Sequence, residues 1–407
     1  MSATGPKDDP VVVIGGPLWA PSVIHMAVQV STEIGRDRDT LYIHAEAVGG
    51  GVGVRLWKLI RETFGGGRED PLRGGGLART PMRLRKVSAH LWLASIGGIW
   101  TLLPTAAYGP LRRYHARRAA RAARRWLKER GAAGCTVVAY WWFAAEVLDH
   151  LPEATRVIYD CTDEHTSYPD SMLSADEVRE VEARLLDRAD RTYVISSGLI
   201  PSREGAGRLI ELAPNAFDLR KVDALREAGL VAPETLASLP RPIVTCVATE
   251  LADRADWPLL AELMSRNPDL SFVFIGRDSH LGPPEVSARP NAHHLGFTPY
   301  DQTLATLAES DVAIIPFKED DFAAGNAFAK LLDYFAMGVP VVSIPVADTI
   351  AFKEHDPELI ELASGVEEWA AALERCVAEP ADAPVRERRR QLVQERSTEA
   401  RTKRLLG

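Results

Sequence analysis

The chain alternates short, almost unbroken apolar runs with segments whose apolar residues recur at helical spacing. Strands covered by helices on both faces read as continuous Val, Ile and Leu runs, so this pattern predicts parallel sheets with crossover helices. The candidate strands fall into two sets. VVVIGG (11–16), TLYIHA (40–45), CTVVAYWW (135–142), RVIYDC (156–161), RTYVIS (191–196) and IELAPN (210–215) form the first. PIVTCVA (242–248), LSFVFIG (270–276), NAHHLG (291–296), DVAIIPF (311–317) and VPVVSI (339–344) form the second. DLRKVDALREAGLVAPETLASLPR between them reads as a helix and a proline-flanked connection, which puts a boundary at Leu230 to Pro240. The expected architecture is α/β: two Rossmann-like, doubly wound domains facing across a cleft, where the carboxyl ends of the strands bind ligands. An N-terminal domain over 1–230, a C-terminal domain over 240–375 and a last helical stretch over 376–407 that packs back on the first domain complete the expectation.

Composition narrows the class. With 407 residues, 46% hydrophobic and 26% charged, the chain is that of a globular protein of two or three cores. Cys135, Cys161, Cys246 and Cys376 lie far apart without ligand spacing, which argues against a zinc site or a disulfide framework and fits a reducing, cytoplasmic setting. The start, MSATGPKDDPVVVIGG, has acids and a proline where an export signal needs basic residues and a long apolar run. Two adjacent glycines and a proline after the first strand depart from G-x-G-x-x-G, so a redox dinucleotide is poorly supported. The glycine clusters VGGGVG, FGGGRED and RGGGLA (48–78) read as one long loop.

The stretch NAFAKLLDYFAMGVPVVS (326–343) carries the most specific chemistry. Asn326 is a fitting helix N-cap after the loop KEDDFAAG, and Lys330 and Asp333 follow on its stripe at i+4 and i+7. A helix N-terminus, a cation and a carboxylate together are what a phosphorylated, hydroxylated ligand requires; the plain alternative is a surface ion pair. Gly276, ending FVFIG, lets backbone approach a ligand, and Arg277 beside it is a contact or a surface charge. YDCTDEHTSYP leaves a strand with Asp163 and Glu164 in its turn, groups able to take a proton from an attacking hydroxyl, or simply to cap and solvate the turn.

In order and spacing, RVIYDCTDEHTSYPD, EVEARLLDRADRTYVISSGL, LAPNAFD, SFVFIGR, NAHHLGFTPYDQTLATLAESDVAIIPF and AKLLDYFAMGVPVVS resemble the GT-B glycosyltransferases, in particular bacterial, usually retaining, sugar transferases of polysaccharide and natural-product assembly. The likeness covers about residues 155–345 well and the first 50 weakly. It implies that Lys330 approaches the diphosphate of a nucleotide-sugar donor, UDP-linked, and that Asp333, where most relatives carry Glu, accepts from the ribose. Arg254 matches a cation that commonly meets the diphosphate, and His294 with Gly296 matches contacts to the base. His25 is a candidate base by analogy with inverting members of the fold. Relatives often hold the donor sugar with an acid eight residues before the ribose-binding one; Gly325 stands there, leaving Glu319, Asp320 or Asp321 to replace it. No obligatory metal is implied, because side-chain cations do its work.

Charge adds one more feature. Thirteen Lys and Arg against one acid, Glu129, lie between Arg79 and Arg130, around an uncharged run from Val87 to Leu111 that only His90 interrupts. Residues 83–131 thus read as a basic element lying on an anionic membrane, or as a core helix followed by a solvated one; glycines and prolines argue against a span, and nucleic acid is not indicated. The expected function is sugar transfer from a nucleoside diphosphate to a hydroxyl or amine of a small natural product or a lipid-linked glycan. An epimerase of the same fold and a non-catalytic sugar-nucleotide-binding subunit are the alternatives.

Overall fold

The computed structural model describes residues 9–15, 25–44, 84–95, 105–167, 173–205, 208–248, 251–276, 280 and 282–407. It divides into two compact units. The first comprises Met1–Ile195, Leu199–Ala213 and Arg401–Gly407; the second comprises Ser196–Gly198 and Pro214–Ala400. The break therefore falls at Pro214 and not between 230 and 240. The helix Leu219–Ala228 goes with the second unit because Val222 packs into that unit's core. Of the residues after 375, only Arg401–Gly407 return to the first unit.

In the first unit, β1 (Val11–Gly15), β2 (Thr40–His44), β3 (Leu84–Lys86), β4 (Leu91–Ser95), β5 (Cys135–Ala139), β6 (Ala154–Cys161), β7 (Arg191–Val194) and β8 (Ile210–Leu212) form one sheet in the order β3-β4-β2-β1-β5-β6-β7-β8. All pairings are parallel except β3 with β4. The order reverses at β1 and β5, which is where a doubly wound sheet opens a crevice at its strand ends. β1, β2 and β5 are buried throughout, in keeping with their mostly apolar sequences.

Within 83–131, read either as a basic element on a membrane or as a core helix followed by a solvated one, the described residues take ordinary places in the fold. Leu91, Leu93 and Ala94 are buried in β4, so this part of the uncharged run is a sheet strand. The helix Thr105–Lys128 follows and buries Ala116, Ala119, Ala120, Ala123, Trp126 and Leu127, while Arg113, Arg117, Arg121, Arg124 and Lys128 face solvent. Those apolar residues of the stretch are thus spent on the fold, and those arginines and the lysine of the helix remain outside. Among the described residues no helix is long and apolar enough to cross a membrane. The glycine clusters of 48–78 lie outside the described residues.

The second unit carries β9 (Ile243–Val247), β10 (Ser271–Ile275), β11 (Ala292–Gly296), β12 (Val312–Ile315), β13 (Val341–Ser343) and β14 (Glu361–Leu362), ordered β11-β10-β9-β12-β13-β14 and parallel throughout. Its reversal lies between β9 and β12. The helix Ala329–Met337 buries Leu331, Leu332, Tyr334, Phe335, Ala336 and Met337, and stops at Gly338, whose φ of 72° only glycine adopts cheaply.

The C-terminal helix Thr398–Leu406 brings Arg401 to the first sheet. There Arg401 Nη2 donates to Asp160 Oδ1 at 2.6 Å, a pair with both side chains buried.

Candidate donor site and acceptor-side turn

The loops after β9 and β12 meet at the switch point of the second sheet. Ala255 pairs with Phe317 in an antiparallel bridge, Asp256 N donates to the Pro316 carbonyl at 2.9 Å, and Lys318 N donates to the Arg254 carbonyl at 2.9 Å. This lacing fixes Arg254, at the end of the short helix Leu251–Arg254, beside the start of the helix Ala329–Met337. Lys330 stands in the first turn of that helix. Its Nζ lies 4.2 Å above the Phe317 ring and 5.5 Å from that of Phe328, so aromatic faces hold the ammonium where water is scarce. Burial and the nearby Arg254 lower the Lys330 pKa to about 8, against the pull of Cys246 and Asp333. Two cations held in proximity make a site that an anion relieves.

Asp333 lies on the same stripe of that helix, three residues beyond Lys330. It accepts the Tyr300 hydroxyl at 2.7 Å. Burial raises its pKa to about 6, while the Tyr300 bond, Lys330 and Lys221 hold it from rising further. Lys221 Nζ in turn sits 4.9 Å from the Tyr300 ring centroid. The sequence thus brings Arg254, Lys330 and Asp333 together as one polar group.

Asn326 does not have the expected capping role. The N-cap of the helix is Phe328, without a side-chain bond, and Asn326 instead ends the preceding short helix Asp321–Gly325, its N–H donating to the Ala323 carbonyl at 3.0 Å. Two residues of extended chain intervene because Ala327 and Phe328 are buried before the helix begins. The turn is secured by buried Asn215, whose Nδ2 donates to the Ala327 carbonyl at 2.9 Å, and by Gly198, where a Cβ would stand 2.4 Å from the Ala324 carbonyl oxygen. Both Asn215 and Gly198 sit in quoted motifs, yet only the tertiary structure shows what they hold. Among the acids preceding the turn, Asp320 caps its short helix through Ala323 N at 2.9 Å, while Glu319 is exposed.

His294 is half-buried on β11 and stacks on Phe274 with centroids 5.2 Å apart. Gly276 N donates to the carbonyl of Gly296, which has a φ of 68°, joining the ends of β10 and β11. Arg277 lies outside the described residues.

The turn after β6 differs from expectation at Glu164. Glu164 is not poised as a base. Burial favours its protonation, but Thr166, donating Oγ1–H at 2.6 Å, and Arg203, donating from Nη1 at 2.9 Å, bring its pKa down to about 2. A carboxylate so acidic holds no useful proton affinity at neutral pH. Arg203 is 1% exposed and also donates to Glu182 at 3.0 Å, and Glu182 accepts the Tyr159 hydroxyl. The side chains of Cys161, His165 and Glu182 approach within 4.8 Å as metal ligands could, but the guanidinium already neutralises Glu182, so a structural ion-pair network explains the cluster better. Asp163 stays half-buried in this turn, its carbonyl accepting from Cys161 Sγ at 3.3 Å.

His25 caps the helix Met26–Ile34, its Nδ1 accepting Ala27 N–H at 3.2 Å. Burial and the neighbouring His165 lower its pKa to about 4, so the ring is neutral at pH 7. With Nδ1 accepting, the single proton resides on Nε2. In this arrangement His25 offers a donor and not the base expected from the sequence.

Residues 251–379 match the family described as glycosyl transferases group 1, a stretch that contains Arg254, Lys330 and Asp333. A Bacillus subtilis (strain 168) protein, TuaH, described as a teichuronic acid biosynthesis glycosyltransferase, is 23% identical over 261 residues, which cover 60% of this chain and 64% of that protein's length. The sucrose-phosphate synthase of Thermosynechococcus elongatus superposes with a TM-score of 0.67 at 15% identity, covering 97% of both chains. The E. coli trehalose-6-phosphate protein bound with UDP-2-fluoro glucose gives 0.65 at 11% identity, again over 97% of each. A Burkholderia xenovorans trehalose-phosphate synthase in complex with glucose-6-phosphate gives 0.64 at 10%, over 97% of this chain and 98% of that one.

Proposed function

We propose, from the premise that this chain joins a glycosyltransferase group 1 region to a GT-B fold, that it transfers a sugar from a nucleoside diphosphate donor to a hydroxyl or amine acceptor. The observation that carries the reading is the grouping of Arg254 and Lys330 at the β9/β12 switch point, with Asp333 on the same helix stripe. Diphosphate on the two cations and ribose on the carboxylate account for each charge. As the diphosphate leaves, Arg254 and Lys330 neutralise the charge it gains, work that a metal would otherwise supply. The donor is UDP-linked in this reading, in line with the UDP-2-fluoro glucose bound by the E. coli neighbour. His294, Gly276 and Gly296 line the base, Asn326 borders the sugar end, and Asp163 takes the acceptor proton. Thermal-shift titration against UDP, GDP, ADP and their sugars tests it: one diphosphate at a hundred times its Kd should stabilise the protein by about 2.7 kcal/mol. No shift with any of them contradicts the reading.

The acceptor in this account is a lipid-linked glycan met at the inner face of a membrane, or else a small natural product. The exposed stripe of Arg113, Arg117, Arg121, Arg124 and Lys128 supports a peripheral contact with an electrostatic part, to which Leu91 and Leu93, buried in β4, do not add. Each such cation contributes about 1 kcal/mol near an anionic surface, screened within about 8 Å at physiological salt. Co-sedimentation with anionic vesicles at low salt should succeed, and high salt should weaken it. Failure at low salt would point to the small soluble acceptor.

A further inference from the structure

Tyr300 was not expected in the site, yet it is the residue that Asp333 touches. It opens the helix Tyr300–Ala308 behind Pro299. Its hydroxyl is 2.7 Å from Asp333 Oδ1, a bond that does not engage Asp333 Oδ2. A phenol carries one proton and two acceptor lone pairs. Having donated its proton to Oδ1, Tyr300 presents Oη as an acceptor next to the second carboxylate oxygen. Lys221 above the ring, with Asp218 and Arg226 near the phenol, holds that orientation.

We propose that Tyr300 Oη and Asp333 Oδ2 form a paired acceptor that reads the two vicinal hydroxyls of a ribose, which makes Tyr300 a specificity-determining residue for ribonucleotides. The proposal rests on the donor-site reading of Asp333 above. A ribose diol offers two O–H donors, and a carboxylate alone would meet them with both oxygens. Here one oxygen is already engaged, so the phenol supplies the second position. A nucleotide lacking either hydroxyl covers one acceptor without satisfying it, and such unmet groups discriminate strongly. Tyr300 also favours the ionised Asp333 by donating to it; Lys330 on the same helix and Lys221 on the helix Leu219–Ala228 act in the same direction. Loss of the phenolic proton therefore makes Asp333 harder to ionise.

The test is a binding titration of wild type and Tyr300→Phe with UDP, GDP and ADP and with their 2′-deoxy and 3′-deoxy forms, repeated from pH 5 to 8. Wild type should prefer the ribonucleotide over both deoxy forms by about tenfold or more. Tyr300→Phe should lose the preference against one deoxy form and keep it against the other, and its affinity should begin to fall at a higher pH on acidification. An unchanged preference with an unchanged pH profile would make Tyr300 a packing residue. A wild type without ribose preference would remove the paired acceptor while leaving the diphosphate contacts of Lys330 standing. Absence of binding by every nucleotide would remove the donor reading itself.

Discussion

Replacing Lys330 by Ala is expected to weaken nucleoside diphosphate binding about ten- to hundredfold, or about 1.5–3 kcal/mol, the range for hydrogen bonds to charged groups. The argument starts from burial. An ammonium half-removed from water over Phe317 and Phe328, close to Arg254, is held at a disadvantage that an anion repays. A solvated surface lysine pairing with Asp333 three residues on would contribute only a few tenths of a kcal/mol and would leave binding untouched. Asp333→Ala should cost binding as well, through the ribose. The helix should survive both changes, because Leu331, Leu332, Tyr334 and Phe335 anchor it and neither polar side chain caps it. Titration calorimetry decides the matter: unchanged affinity in both variants returns the pair to the surface.

Arg203→Met should destabilise the protein by about 3–5 kcal/mol, the cost of leaving a buried partner charge uncompensated. The cause lies in the helix Ala175–Arg188. Its inward face carries Val178, Val181, Leu185 and Leu186, and Glu182 falls on that same face. A carboxylate placed among those residues needs a cation, and Arg203 provides it at 3.0 Å while also holding Glu164 at 2.9 Å. For a unit of this size, about 2–4 °C is lost per kcal/mol, so the midpoint of thermal unfolding should fall on the order of 10 °C. Adding Glu182→Gln should recover part of the loss, because the orphaned charge is then gone; no recovery would mean that Arg203 acts by packing alone. The Glu164 arm carries a pH signature. Its folded pKa lies below the usual value of 4.5, at about 2. Its contribution is therefore fully present above about 4.5 and is lost as the pH falls through about 2.

How far the sequence discloses the molecule depends on whether a feature is local. β1, β2, β5, β9, β10 and β12 are legible because a strand buried on both faces is mostly apolar along its length. β4 hides inside a longer uncharged run that resembles a membrane-facing stretch, and β14 spans only Glu361–Leu362, too short to show a period. Lys330 and Asp333 are visible as a pair because helical spacing aligns them. Tyr300 is not, since it comes from another helix and only the fold brings the two together. Glu164 looks catalytic in a row of titratable residues until Arg203, far along the chain, is seen to claim it. Asn326 carries a capping signal that the chain uses to end one helix, two residues before it starts the next.

The most direct measurement is the pH dependence of nucleoside diphosphate affinity in wild type, Lys330→Ala and Asp333→Asn, using whichever of UDP, GDP or ADP binds. Lys330 is cationic below about pH 8 and Asp333 is anionic above about pH 6. Wild-type affinity should therefore be greatest between those values, falling on the acid side as Asp333 takes up a proton and on the alkaline side as Lys330 loses one. Asp333→Asn should reduce the acid limb to that of the ligand's own terminal phosphate, whose second pKa is about 6, and Lys330→Ala should remove the alkaline limb. An affinity that stays flat from pH 5 to 9, or limbs as large in the two variants as in wild type, would contradict the assignment of this pair to the donor site.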